Sequence, residues 1–134
     1  MASVLVDSNV LLDLFDERSE WFAWSRSALS GAAEHARLVI NAVIYAEISV
    51  GYERIETVDE LLPAFVNRED ISYEVAFLAG KVYRTYRKRG GTRRSPLPDF
   101  FIGAHAAVAG YHLLTRDAQR YRTYFPSLQL ITPA

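Results

Sequence analysis

A chain of 134 residues, 50% hydrophobic, 13% aromatic and 23% charged, has the size and apolar content of a single folded domain, 1–134, and excludes a disordered polyelectrolyte. A net charge of −1 gives the molecule as a whole no electrostatic claim on nucleic acid, so any such contact must come from a local patch. The absence of cysteine excludes disulfides, zinc–thiolate and iron–sulfur centres and thiol nucleophiles, and favours a cytoplasmic protein; the opening MASVLVDSNVLLDLF, interrupted by Asp7 and Asp13, is neither a signal peptide nor a membrane span.

Ser3 to Val6 is an apolar run that ends in Asp7, and Val10, Leu11, Leu14 and Phe15 then recur at helical spacing, so a strand is followed by a helix. Trp21, Phe22, Trp24, Ser25 and Leu29 continue as a second helix to about Gly31, expected as its left-handed cap. Leu38 to Ile40 reads as a buried strand. Asn41 is an N-cap for a helix through Val43, Ile44, Glu47, Ile48 and Gly51, and Thr57 to Val66 supplies another. Asp70 to Ser72 is expected to be a short edge strand. Tyr73 to Arg89 is a long amphipathic helix stopped by Gly90-Gly91, and Thr92 to Pro98 reads as a loop. A helix from Asp99 to Ala109 ends at Gly110; Leu113-Leu114-Thr115 leads to Asp117, a short helix, and a last strand at Leu128 to Ile131.

Strands separated by helical crossovers cannot be joined by tight hairpins, so this order predicts an α/β fold: a three-layer α/β/α sandwich with a mostly parallel central sheet of about five strands. Sites in such sheets lie beyond the carboxyl ends of the strands, where the strand order reverses. Asp7 after the first strand, Asp117 after the fourth and Asp99 at a helix start satisfy that rule, although each alone is equally a helix cap or dipole partner. Asp13, Asp16 and Asp70 are given only that structural role. Glu47 differs, because it shares a helical stripe with Val43, Ile44, Ile48 and Gly51 and has no cation one turn away, the nearest being Arg54.

Gathered at one rim, these four acids need a counter-ion. Two carboxylates about 4 Å apart at an effective dielectric near 20 repel by roughly 4 kcal/mol. A divalent metal resolves the conflict, and hard oxygen ligands without imidazole or thiolate select Mg²⁺ or Mn²⁺. His35, His105 and His112 fall in no metal-ligand spacing and read as surface or core histidines.

VLVDSNVLLDL resembles the opening strand and Asp-Ser/Thr-Asn signature of PIN domains, NAVIYAEISVGYE resembles their Glu-bearing motif, and LPDFFIGAHAAVAGYHLLTRDAQRY resembles their third and fourth motifs. The resemblance covers nearly the whole chain, at a length typical of VapC toxins. It implies a PIN-like fold and places Asp7, Glu47, Asp99 and Asp117 in the family's acidic, catalytic and metal-binding positions, supported by Ser8 and Asn9 after the first and Thr115 two before the last. One departure is Tyr121, where phenylalanine is common, read as a packing change.

The resemblance further implies a Mg²⁺-dependent endoribonuclease, the toxin of a type II toxin–antitoxin pair, cleaving tRNA or rRNA. It also implies a VapB-like antitoxin that sends an Arg or Lys into the acidic site, and a homodimer. In YRTYRKRGGTRRSP, Arg84, Arg87, Lys88, Arg89, Arg93 and Arg94 form a candidate RNA-binding patch, while basic residues at a helix C-terminus also simply favour its dipole. Trp21, Phe22 and Trp24 are candidate antitoxin anchors, or core residues.

Two other readings stay open: a metal-dependent phosphohydrolase or phospho-acceptor, and a non-catalytic PIN-like module that docks RNA or protein. A dehalogenase-like enzyme wants a second Asp where Asn9 stands, a receiver wants a late lysine and none follows Lys88, and intact acids oppose the docking module. No GxxxxGK[ST] or GxGxxG occurs, which excludes the common nucleotide-binding loops.

Overall fold

In the computed structural model, which describes residues 3–90 and 97–133, the chain runs β1 (Val4–Val6), α1 (Ser8–Leu14), α2 (Phe22–Ala33), β2 (Leu38–Ile40), α3 (Ala42–Ser49) and α4 (Ile55–Leu61). It continues through β3 (Val66–Arg68), α5 (Tyr73–Lys88), α6 (Leu97–Ala109), β4 (His112–Leu114), α7 (Ala118–Arg122) and β5 (Leu130–Ile131). The five strands form one sheet in the order β3-β2-β1-β4-β5, and every neighbouring pair is parallel. The expected α/β architecture is therefore present.

β1 and β2 are apolar at every position because helices cover both faces of the central sheet, which leaves no solvent side for alternation. Val4, Leu5, Val6, Leu38, Val39, Ile40, Leu113 and Leu114 form the middle of the core, joined by Val10 and Leu11 of α1, Ile44 and Ile48 of α3 and Ile102 of α6. Each fully buried aliphatic side chain contributes about 1.5–3 kcal/mol. The chain starts at the centre, moves outward through β2 and β3, then crosses back so that β4 lies beside β1. The strand order thus reverses between β1 and β4, and the loops leaving both open at the same end of the sheet.

The differences from expectation have local causes. The edge strand is Val66–Arg68, not Asp70–Ser72: it is selected by backbone pairing to β2, with Asn67 Nδ2 donating to Leu38 O at 3.1 Å, and its exposed, polar sequence carries no hydrophobic signal. α4 stops at Leu61, before the predicted Val66, because Leu62 takes extended backbone ahead of Pro63. α2 continues past Gly31 to Ala33, and α3 ends at Ser49, before Gly51. α6 starts at Leu97, so Asp99 sits inside its first turn and not at its cap. Gly90 and Gly110 do adopt the left-handed backbone expected of helix stops, with φ of 85° and 74°. Among the described residues, no helix is long and apolar enough to cross a membrane.

Gly103 has a specific packing duty. A Cβ built there would lie 2.4 Å from Cε2 of Phe125, so only a glycine lets the segment after α7 close onto α6. Gly103→Ala is expected to cost about 1–3 kcal/mol through overpacking, read as a lower denaturant midpoint at unchanged m-value.

Candidate active site

Asp7 is the residue that follows central β1, and it is 1% exposed. It caps α1 by accepting from Ser8 N at Oδ1 (2.8 Å). Its Oδ2 accepts from Thr115 Oγ1 at 2.8 Å and from the Tyr121 hydroxyl at 3.0 Å, with Asn9 Nδ2 farther off at 3.4 Å. Burial pushes its carboxyl above the ordinary range, while Thr115, Tyr121 and Ser8 act the other way. Tyr121 is therefore more than the expected packing change: it is a buried donor to the first acid, and the same burial and the Asp7 charge hold its own hydroxyl far from ionisation.

Ser8 joins Asp7 to Glu47. Its hydroxyl donates to Glu47 Oε1 at 2.8 Å and lies 3.5 Å from Asp7 Oδ1. Asn41 caps α3 by accepting from Ile44 N at 2.9 Å, which fixes the helix that carries Glu47. The Glu47 carboxyl is half-buried and raised by that burial, with Asp7's charge adding to the effect against the Ser8 bond. Thr115, directly after β4, also accepts from Asp117 N at 3.0 Å, and Arg116 N donates to Asn9 Oδ1 at 3.2 Å. The β4–α7 turn is thereby stitched to the start of α1.

Asp99 and Asp117 form a second pair, joined by a residue that the sequence reading missed. Arg120 places Nη1 3.2 Å from Asp99 Oδ1 and Nη2 3.0 Å from Asp117 Oδ2. Asp99 is pushed up to about 6, first by burial and then by the charges of Asp7, Glu47 and Asp117, with Arg120 opposing. Because Asp99 senses the other three, all four acids share one electrostatic environment at the switch point. They stand as two bridged pairs, and among the described residues no three carboxylates or imidazoles are gathered into a finished metal cage.

The donor set is nonetheless all oxygen, which fits Mg²⁺ or Mn²⁺; Mg²⁺ in particular keeps several waters and takes only one or two carboxylates. His35 and His112 contribute nothing here, and buried His105 faces Asn41 Nδ2 through Nδ1 (2.9 Å) and Glu69 through Nε2 (3.3 Å). Glu69 also accepts the single Tyr111 hydroxyl proton, shared between its two oxygens at 2.9 and 2.8 Å, and pairs with Arg37.

Asp13, expected only to cap or to balance a dipole, is 4% exposed and fully engaged. Arg116 meets it with Nε at 2.7 Å and Nη2 at 3.1 Å, and Ser25 and Ser19 donate to it at 2.6 and 2.9 Å. The Arg116 guanidinium also lies over the Trp21 ring, 5.5 Å from its centroid. Trp21, Phe22 and Trp24 are half-buried, and Trp24 packs against the core.

Arg84, Arg87, Lys88 and Arg89 are exposed at the C-terminal end of α5, whose Tyr83 and Tyr86 pack on Phe100 beside Asp99. Arg93 and Arg94 lie outside the described residues. A carboxyl raised by folding destabilises the fold once it ionises. Asp99→Asn is therefore expected to stabilise the metal-free protein at pH 7 by about 1–3 kcal/mol, with the gain shrinking as pH falls through 6 and gone below about pH 4, measured by thermal melts across that range.

The fold is similar to that of known proteins. VapBC-1 of nontypeable Haemophilus influenzae matches over 98% of both chains with a TM-score of 0.71 and 25% identity. A toxin–antitoxin complex of Klebsiella pneumoniae matches over 98% of both at 0.69 and 25%. VapBC2 of Rickettsia felis, bound to a promoter DNA fragment, matches over 100% of both at 0.77 and 17%, a likeness of fold. No curated protein sequence matches. The PIN domain profile matches residues 4–126, from β1 to beyond α7, and with that span the chain belongs to the PIN domain family.

Proposed function

We propose that the chain is a metal-dependent endoribonuclease, the toxin of a type II toxin–antitoxin pair, in which Asp7, Glu47, Asp99 and Asp117 hold Mg²⁺ or Mn²⁺. The observation that carries this reading is the convergence of four carboxylates on the β1/β4 switch point with Arg120 between two of them. Membership of the PIN domain family and the shared architecture with VapBC complexes support it. RNA as substrate, of the tRNA or rRNA class, draws on the Mycobacterium tuberculosis VapC20, described as a sarcin–ricin loop cleaving toxin and similar in fold at 13% identity with a TM-score of 0.65 over 95% of this chain and 99% of that one.

When bound, the ion would supply charge to offset that developing on a phosphodiester and lower the pKa of an attacking water. The protein's share is positioning. Thr115 and Tyr121 occupy Asp7 Oδ2 and leave Oδ1, which takes only Ser8 N at short range, with a lone pair to offer. Ser8 orients Glu47 in the same way. Because Asp99 titrates near 6, protons compete for the acids, and metal affinity is expected to rise between pH 5 and 7.

The α5 patch of Arg84, Arg87 and Lys88, with Arg87 over the half-buried Tyr83 ring, is the proposed RNA-binding surface. A VapB-like antitoxin is the proposed partner, covering the acidic rim near Trp21, Phe22 and Trp24. A homodimer is also proposed; Tyr73 and Phe77 of α5, 94% and 67% exposed, offer it apolar surface.

Structured RNA should be cleaved with Mg²⁺ or Mn²⁺ and left intact with EDTA, and Asp7→Asn should lower the rate by at least about 100-fold without loss of the folded circular-dichroism spectrum. Cleavage that persists in EDTA defeats the mechanism. Replacing Arg87 and Lys88 together by alanine should weaken single-stranded RNA binding and flatten its log–log salt dependence by about 1.4, since each released phosphate contact contributes about 0.7.

A further inference from the structure

Among the described residues, Arg120 is a cation whose charge acts on Asp7, Glu47 and Asp99 alike. Arg116, three residues after β4's last but one, is committed to Asp13 and is not free to serve them. Arg120 does not clamp one carboxylate with its fork; it gives one nitrogen to Asp99, 21 residues before it, and the other to Asp117, and so joins α6 to the start of α7. It stands one helical turn after Asp117 and is therefore tethered within reach of the pair at all times. Its side chain is 46% exposed, so leaving this position exposes it to water it already touches.

We infer that Arg120 is a resident counter-ion that holds Asp99 and Asp117 in the metal-free protein and competes with the divalent ion for them, so that loading the site displaces an internal guanidinium. The inference rests on the metal-dependent reading of the same acids and adds to it a regulating group within this chain. A divalent ion and a guanidinium cannot use the facing oxygens of Asp99 and Asp117 together, because like charges repel in the space between those two side chains. Burial alone would lower the Arg120 pKa, but the two carboxylates hold it above its ordinary value, consistent with a pairing that is strong until a higher charge replaces it. The device offsets part of the acids' negative charge, and so steadies the rim of the sheet, when metal is scarce.

Calorimetric titration of the full chain with Mn²⁺ tests the competition. Arg120→Gln is expected to bind Mn²⁺ about tenfold more tightly than the wild type, because a positive charge has left the site, and to melt at a lower temperature when metal-free. Equal or weaker Mn²⁺ binding by Arg120→Gln overturns the inference while leaving the metal reading intact. Failure of the wild type itself to bind Mn²⁺ overturns both. A second measurement needs no variant: on ¹⁵N-labelled wild type, Mg²⁺ should speed hydrogen exchange at the Arg120 guanidinium as its carboxylate bonds break, and unchanged exchange counts against displacement.

Discussion

Asp7 sits at the end of the central strand with almost no solvent contact, and a carboxylate in that place is tolerable only if it is ringed by donors. The ring is drawn from the adjacent residue and from a remote segment: Ser8 N from the start of α1, Thr115 from just after β4, and Tyr121 from α7. Each supplies a hydrogen bond to a charged acceptor, worth about 1.5–3 kcal/mol when made and costly when lost. The requirement of one buried acid therefore fixes where β4 ends, how α7 is aimed and which side of α1 faces the sheet. Ser8 extends the same constraint to Glu47, and with it to the angle of α3.

Around this centre the electrostatics are unbalanced by design of the fold. Parallel strands are covered on both faces, so side chains from several elements converge on solvent beyond the carboxyl ends of the strands. Four carboxylates occupy that place, and the Arg120 guanidinium opposes their repulsion at Asp99. The other arginine of the turn, Arg116, serves a separate purpose. It ties Asp13 of α1 to the β4–α7 turn through two nitrogens and braces the same pair of elements that Asp7 joins. A buried pair of this kind contributes more to holding one arrangement than to net stability.

The central strands, the long α5 and the glycine stops at Gly90 and Gly110 were legible because burial on both faces, helical periodicity and positive φ leave strong marks on residue choice. The acids were legible as positions: Asp7 and Asp117 by following strands, Glu47 by lying on a stripe with Ile44 and Ile48. Their partners were not. Arg120 and the Tyr121 hydroxyl belong to a five-residue helix whose orientation depends on Gly103 and Phe125, and no local pattern reveals such a dependence. Asp13 was passed over because a carboxylate on α1 looks like any surface acid until Ser19, Ser25 and Arg116 are brought to it. β3 was misplaced for a related reason: an exposed edge strand is chosen by backbone pairing, and Val66–Arg68 carries one apolar side chain.

The bonds that Asp7 accepts from Thr115 and Tyr121 span 108 and 114 positions of the chain. During synthesis the first strand leaves the ribosome long before either donor exists, and contacts of such length form late. A nascent chain halted anywhere before Thr115 lacks both donors to Asp7 as well as Asp117 and Arg120, and so has only fragments of the rim. The ordering of the elements means that the acidic centre comes into being only once α7 has been made, after four of the five strands have already emerged.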